Sequence, residues 1–264
     1  MARRRRRPHR RHRDPQRIPG TARPNPRLRR AVERRPQPTS ERGQRPVTTA
    51  SALTTIDDLV DPATTTCLVI GYAARNAVAV QEHIDELEAI GVAPPPEVPM
   101  VYRMSPGLLT ASPRVSSSAT SSGEVEPVLV RSGGRHFLGV GSDHTDRVLE
   151  AEDVLRSKLA CPKPVGAQFV EIDLDTFDWD ACSIGCQVDG REYQAGRLDS
   201  LRTPTNLFGI LAERGAVAPG EDAVVFGGTV PLLDGGFVYG TSWTVSLTLP
   251  DGRAITHTYE ITED

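Results

Sequence analysis

Glu124, Glu126 and Asp143 are residues whose type and spacing could do chemistry together. Like charges that face one another across a strand pair destabilise it, so a cluster of three carboxylates calls for a physical reason. A hard divalent cation supplies one. Mg²⁺ or Mn²⁺ takes oxygen ligands in octahedral geometry and keeps positions for water or substrate oxygens, with Ca²⁺ left open. A solvated acidic strand end is the plain alternative, and Glu-x-Glu with a later Asp is by itself a common pattern.

The element that would carry these residues makes the pattern more specific. VEPVLV and RHFLGVG are apolar, β-branched runs on either side of Ser132, Gly133 and Gly134, and Gly-Gly is a favoured two-residue hairpin turn. That turn pairs Val130 with Phe137, Glu126 with Gly141 and Glu124 with Asp143. Because side chains alternate with period two, the three carboxylates then project from one face at one end of the hairpin. Gly139 and Gly141 are expected to leave open space beside them.

A second pair with chemical meaning lies upstream. TTTCLVIGYA reads as a strand ending at Gly71, and Asn76 can cap a helix whose Val80, Ile84 and Leu87 form an apolar stripe, closed by Gly91. His83 and Glu86 sit three apart on that helix, so the carboxylate can orient the imidazole as a general base, although such pairs are common on exposed surfaces. VPMVYRMSPGLLT reads as extended, the following Ser/Thr-rich stretch as a mobile loop, and residues 145–159 as a helix. The remainder reads as mostly β, with Asp189-Gly190 and Asp251-Gly252 as turns and a helix between Pro204 and Gly215. Cys182 and Cys186 share a strand face with Ile184 and read as core rather than zinc ligands.

Charge divides the chain. Residues 1–46 hold 17 Arg against Asp14, Glu33 and Glu41, a net of +14, which leaves −17 for the rest within a total of −3. With many prolines and few apolar residues, this arm cannot offset its ordering entropy and is expected to be disordered over 1–50, ahead of a single domain over 51–264. Such an arm could neutralise phosphates of nucleic acid, but a plain unstructured extension is the preferred reading. Four cysteines without regular spacing, and no apolar run near the ~20 residues of a membrane span, point to a reduced, cytoplasmic chain.

In their order along the chain, these motifs resemble the fumarylacetoacetate hydrolase superfamily over about Leu68 to Glu260. The resemblance implies an α+β, mostly β, mixed β-roll fold and a divalent-metal site. It implies that His83 and Glu86 are the general-base dyad and that Glu124, Glu126 and Asp143 are the metal ligands. Arg103 in VYRMSP stands where the family has a lysine, Arg147 falls four residues beyond the metal-binding Asp, and Thr229 in PGEDAVVFGGTVP falls on the substrate-binding threonine. SKLACPKPVG puts Lys158 on the active-site lysine. Leu159, Ala160 and Gly227 depart from the family's pattern around the pocket, so the substrate is not carried over.

The activity implied is metal-dependent cleavage of a carbon-carbon bond in a 2-oxo or 1,3-dicarbonyl acid, with decarboxylation or tautomerisation on the same site as the alternative. A non-catalytic binder of small acids, or a nucleic-acid-associated protein working through the arm, is the reading from another class. The expected partner is a small 2-oxo acid, with no membrane, and a homodimer is left open.

Overall fold

The computed structural model describes residues 53–89 and 94–263. The expected disordered arm and the glycine closing the first long helix lie outside the described residues. Two large sheets organise the rest. The first has seven strands, in spatial order Leu53–Thr55, Gln168–Ile172, Arg135–Ser142, Val125–Ser132, Ala223–Phe226, Thr66–Gly71 and Met100–Met104. Its neighbours are antiparallel except Ala223–Phe226 beside Thr66–Gly71, which run parallel, so the sheet is mixed. The second has five strands, in order Arg191–Arg197, Ser183–Val188, Ser242–Thr248, Ala254–Glu263 and Arg114–Ser117.

Alternation sorts the apolar side chains of the seven-stranded sheet into two cores. Leu129, Leu138, Val140 and Val170 face the five-stranded sheet and pack with Trp243, Leu247 and Tyr259. Val128, Val130, Phe137 and Phe226 face the other way, with Val69 and Tyr102, under the short helix Ile56–Leu59. Both faces of the central hairpin are therefore buried, which suits its nearly continuous apolar run.

The hairpin has the register its turn dictates. Gly133 and Gly134 take φ of 56° and 76°, both left-handed as a type I′ turn requires, and Val130 pairs with Phe137 and Glu126 with Gly141. Asn76 caps helix Ala77–Ala89 by accepting from the Val78 and Ala79 N–H groups, and Thr203 caps helix Pro204–Glu213 by accepting from Asn206 N–H.

Three expectations are corrected. Residues 145–159 form two short helices, Arg147–Glu150 and Val154–Leu159, because Asp146 and Asp153 each cap a new start with their carboxylates. The Ser/Thr-rich stretch is not a loose loop: Arg114–Ser117 pairs with Ala254–Glu263, and the hydroxyls of Ser118 and Thr120 donate to Asp146. The space beside Gly139 and Gly141 is filled, the first by the Phe169 ring and the second by Val128, Phe226 and the Pro164 carbonyl. No described helix is long and apolar enough to cross a membrane.

Candidate active site at the end of the acidic hairpin

The hairpin carries the acidic residues past its last ladder pair. Asp143 N–H donates to the Glu124 carbonyl at 2.9 Å, continuing the register one step beyond Val125 and Ser142. Glu126 and Asp143 are buried, whereas Glu124 is partly exposed. One oxygen of Glu126 accepts from Gly228 N–H at 2.9 Å. Burial first, and then the Asp143 carboxylate, push the Glu126 pKa well above the ordinary carboxylate range, with Glu124 adding to the effect.

Three cations face these three anions. Lys158, from the last turn of helix Val154–Leu159, donates to Asp143 Oδ2, and its Nζ lies 5.7 Å from the centre of the Tyr102 ring. Lys163 is fully buried, with Nζ 3.1 Å from Asp143 Oδ1. The same ammonium donates to the carbonyls of Lys158, at 2.6 Å, and His144, tying three segments together. Arg147 reaches Glu124 at 3.4 Å and Glu150 at 2.8 Å while the Phe237 ring covers its guanidinium at 3.9 Å. Burial alone would raise the Asp143 pKa, but Lys158 and Lys163 more than reverse this and hold it below the ordinary carboxylate range. Burial likewise opposes the charge on Lys158, and the Asp143 and Glu124 carboxylates outweigh it and raise its pKa.

Of the other residues singled out from sequence, Thr229 lies beside the hairpin but spends its hydroxyl on it. Its Oγ1 donates to the Val125 carbonyl and accepts from Gln194 Nε2, both at 2.8 Å. Arg103 is not brought to the cluster. Tyr102 and Met104 turn inward on the face that holds Glu126, so Arg103 turns to the other, where it donates to the Ala216 carbonyl at 2.7 Å and to Thr66. His83 and Glu86 lie on helix Ala77–Ala89, and their side chains are outside the described residues.

Sequence reasoning missed Lys163, His144 and Tyr72. Lys163 looks like an ordinary surface lysine in a Pro-flanked stretch, and the strand pair with Leu109–Thr110 that buries it is invisible locally. His144 is fully buried, with Nε2 2.8 Å from the Tyr259 hydroxyl. Tyr72 follows strand Thr66–Gly71 at φ 56°, a left-handed conformation uncommon for a bulky side chain. Burial raises its pKa, and the charges of Glu150 and Lys158 are felt there too, which sets its phenol at the edge of the cluster.

A family metal requires a donor set, and the chemistry of this one fits a hard cation. Glu126 is a buried carboxylate whose charge nothing adjacent neutralises fully, and Asp143 Oδ1, though ion-paired, has no hydrogen bond among the described residues. The donors are not yet gathered as a coordination group: among the described residues, no three His, Cys, Asp or Glu side chains are arranged to hold an ion. Asp143 is turned to the lysines and Glu124 to Arg147.

Solved structures share this architecture. 5-Carboxymethyl-2-hydroxymuconate delta-isomerase from Mycobacterium smegmatis superposes with a TM-score of 0.52 at 18% identity, over 76% of this chain and 80% of that one. 2-Hydroxyhepta-2,4-diene-1,7-dioate isomerase from Mycobacterium marinum gives 0.51 at 16%, over 76% and 75%. The apo form of 2-keto-3-deoxy-D-arabinonate dehydratase gives 0.52 at 16%, over 76% and 74%. The fold is that of the fumarylacetoacetate hydrolase superfamily. Within it, residues 70–259 match the family model described as Protein of unknown function (DUF2848), and the chain belongs to that family. No curated protein matches the chain.

Proposed function

We propose that this chain is a divalent-cation-dependent enzyme that cleaves a carbon-carbon bond in a small 2-oxo or 1,3-dicarbonyl acid. The observation that carries the reading is the buried meeting of Glu126 and Asp143 with Lys158 at the end of one hairpin, three catalytic residue types converging where water is largely excluded. Fold likeness to two isomerases and a dehydratase, each acting on the acid its name states, supports an enzyme acting on a small acid.

In this reading Glu124, Glu126 and Asp143 hold the cation, which when bound supplies Lewis-acid polarisation of a carbonyl oxygen. Lys158, released from Asp143, keeps its proton and offers its ammonium to the substrate carboxylate or to negative charge developing on an enolate. Arg147 swings from Glu124 to the substrate, its guanidinium oriented by the Phe237 ring. His83, oriented by Glu86, takes a proton from water. The hydroxyl adds to the distal acyl carbon, the carbon-carbon bond breaks, and the enolate carbon takes up a proton, giving a carboxylic acid and a shorter 2-oxo acid.

The test is a panel of acylpyruvates, oxaloacetate and simpler 2-oxo acids, assayed with Mg²⁺, with Mn²⁺ and with EDTA. EDTA-sensitive release of a carboxylic acid is the expected result, and CO₂ release or tautomerisation would move the chain to the alternative chemistry. With a substrate found, His83→Ala should lower turnover by about 10² to 10⁴ and spare cation affinity. No turnover anywhere in the panel, with cation binding intact, would make the chain a non-catalytic binder.

A further inference from the structure

We propose that the cleft between Trp179 and the start of helix Pro204–Glu213 is a binding site for a small branched-chain monocarboxylate. It is separate from the acidic hairpin. Trp179 and Ile172 belong to the core between the two large sheets, whereas Glu126 shares the opposite face of the seven-stranded sheet with Val128 and Val130.

The cleft measures about 110 Å³ and is lined by Ile172, Leu174, Phe177, Trp179, Pro204 and two threonines, Thr203 and Thr205. That is well above the ~10–15 Å³ that one water needs, so a single water does not fill it. Ile172 and Trp179 form a buried floor and Thr205 an exposed rim. Trp179 is 4% exposed, and its Nε1–H has no hydrogen-bond partner among the described residues. A buried donor left unpaired is costly, so the site asks for an acceptor.

The indole is not free to turn its N–H elsewhere. Trp179 N–H donates to the Phe177 carbonyl at 3.0 Å, and its own carbonyl accepts from Cys182 at 3.1 Å. The next residue, Asp180, is gripped by both terminal nitrogens of Arg75, at 2.7 and 3.0 Å, and its carbonyl by Arg197 at 2.6 Å. The tryptophan therefore sits on an anchored turn.

Charge at the mouth favours an anion. A ten-residue helix begins there, and its first turn presents unpaired N–H groups and the positive end of the helix dipole. Pro204 has no N–H and Asn206 N–H is taken by Thr203, while the Thr205 hydroxyl is turned to the Leu174 carbonyl. The nearby Asp173 carboxylate accepts from Asp175 and Thr176 N–H groups in its own turn. One acceptor at the indole and helix end, with a compact apolar tail against Ile172, Leu174 and Phe177, describes a short branched carboxylate.

The chain has two tryptophans, so indole signals of ¹⁵N-labelled full-length protein report the site directly. Trp243 donates to the Gly240 carbonyl at 2.8 Å and is the internal control. Titration with sodium isobutyrate should move the Trp179 signal saturably, with Kd on the order of 1 mM for so small a ligand, and leave Trp243 in place. Leu174→Phe, which fills the cleft and keeps the N–H, should weaken binding by at least about tenfold, as should Trp179→Phe read by calorimetry. A Trp179 signal unmoved to about 50 mM isobutyrate, about 50 times that Kd, would leave the indole satisfied by water only and overturn the proposal. Equal affinity for isobutyramide would overturn its anionic part, and an undiminished response in Leu174→Phe would place binding elsewhere.

Discussion

Glu126 and Lys158 show what a charge costs when it leaves water and what its neighbours return. The folded pKa of Glu126 lies above its unfolded value, so its protonation favours the folded state, and that contribution is lost as pH rises from about 4.5 through the folded value. Glu126→Gln keeps an acceptor for Gly228 N–H and removes the charge. In EDTA at pH 7 it should melt higher than the wild type by the equivalent of about 1 kcal/mol or more, and it should lose the rise in melting temperature that Mg²⁺ gives the wild type. An undiminished Mg²⁺ response would remove Glu126 from the ligand set. Lys158→Met should act in the other direction, because Asp143 is left buried with Lys163 alone; breaking such a pair costs about 3 kcal/mol, read from urea unfolding. A loss below about 0.5 kcal/mol would mean that Lys163 suffices.

At the scale of elements, what could be read from sequence was what local rules control. The Gly-Gly turn set the register, and with it the meeting of Glu126 and Gly141, while Asn76 and Thr203 marked their helix starts. What could not be read depended on distant partners. Nothing near Gly139 reveals the Phe169 ring that fills its surroundings, nothing near Lys163 its neighbour strand, and the opposite-face placement of Arg103 follows only once Tyr102 is known to point inward. The split of residues 145–159 was legible in principle, since Asp153 is a good cap, but the continuous helical composition masked it. Gly228 joins both kinds of information. Its φ of 94° is a conformation that side chains avoid, an added Cβ would collide with that of Ala73, and its N–H holds Glu126. Gly228→Ala should therefore cost about 2–4 kcal/mol in urea unfolding, from backbone strain and overpacking together. A cost within about 0.5 kcal/mol would show that this turn yields easily.

For the molecule as a whole, buried imidazoles decide how it meets acid. His144 is fully buried against the rings of Trp243 and Tyr259, and burial first, then the charges of Lys163 and Arg147, lower its pKa to about 3. Burial also lowers the pKa of His257 and of His136. An unfolded histidine takes up its proton near pH 6.5 while folded His144 stays neutral, so the unfolded state binds more protons between those values. Stability from this source is complete above about pH 6.5 and is lost as pH falls toward 3. For His144 alone the loss between pH 7 and 5.5 is about 1 kcal/mol, a figure insensitive to where the folded value lies as long as it is well below 5. Glu126 opposes it over the same range, because its protonation favours the folded state. Urea midpoints in EDTA should therefore fall from pH 7 to 5.5 more steeply in Glu126→Gln than in the wild type. A midpoint in that variant that holds or rises on acidification would mean that His144 accepts its proton without leaving the fold, and that the core around Tyr259 is wetter than its packing indicates.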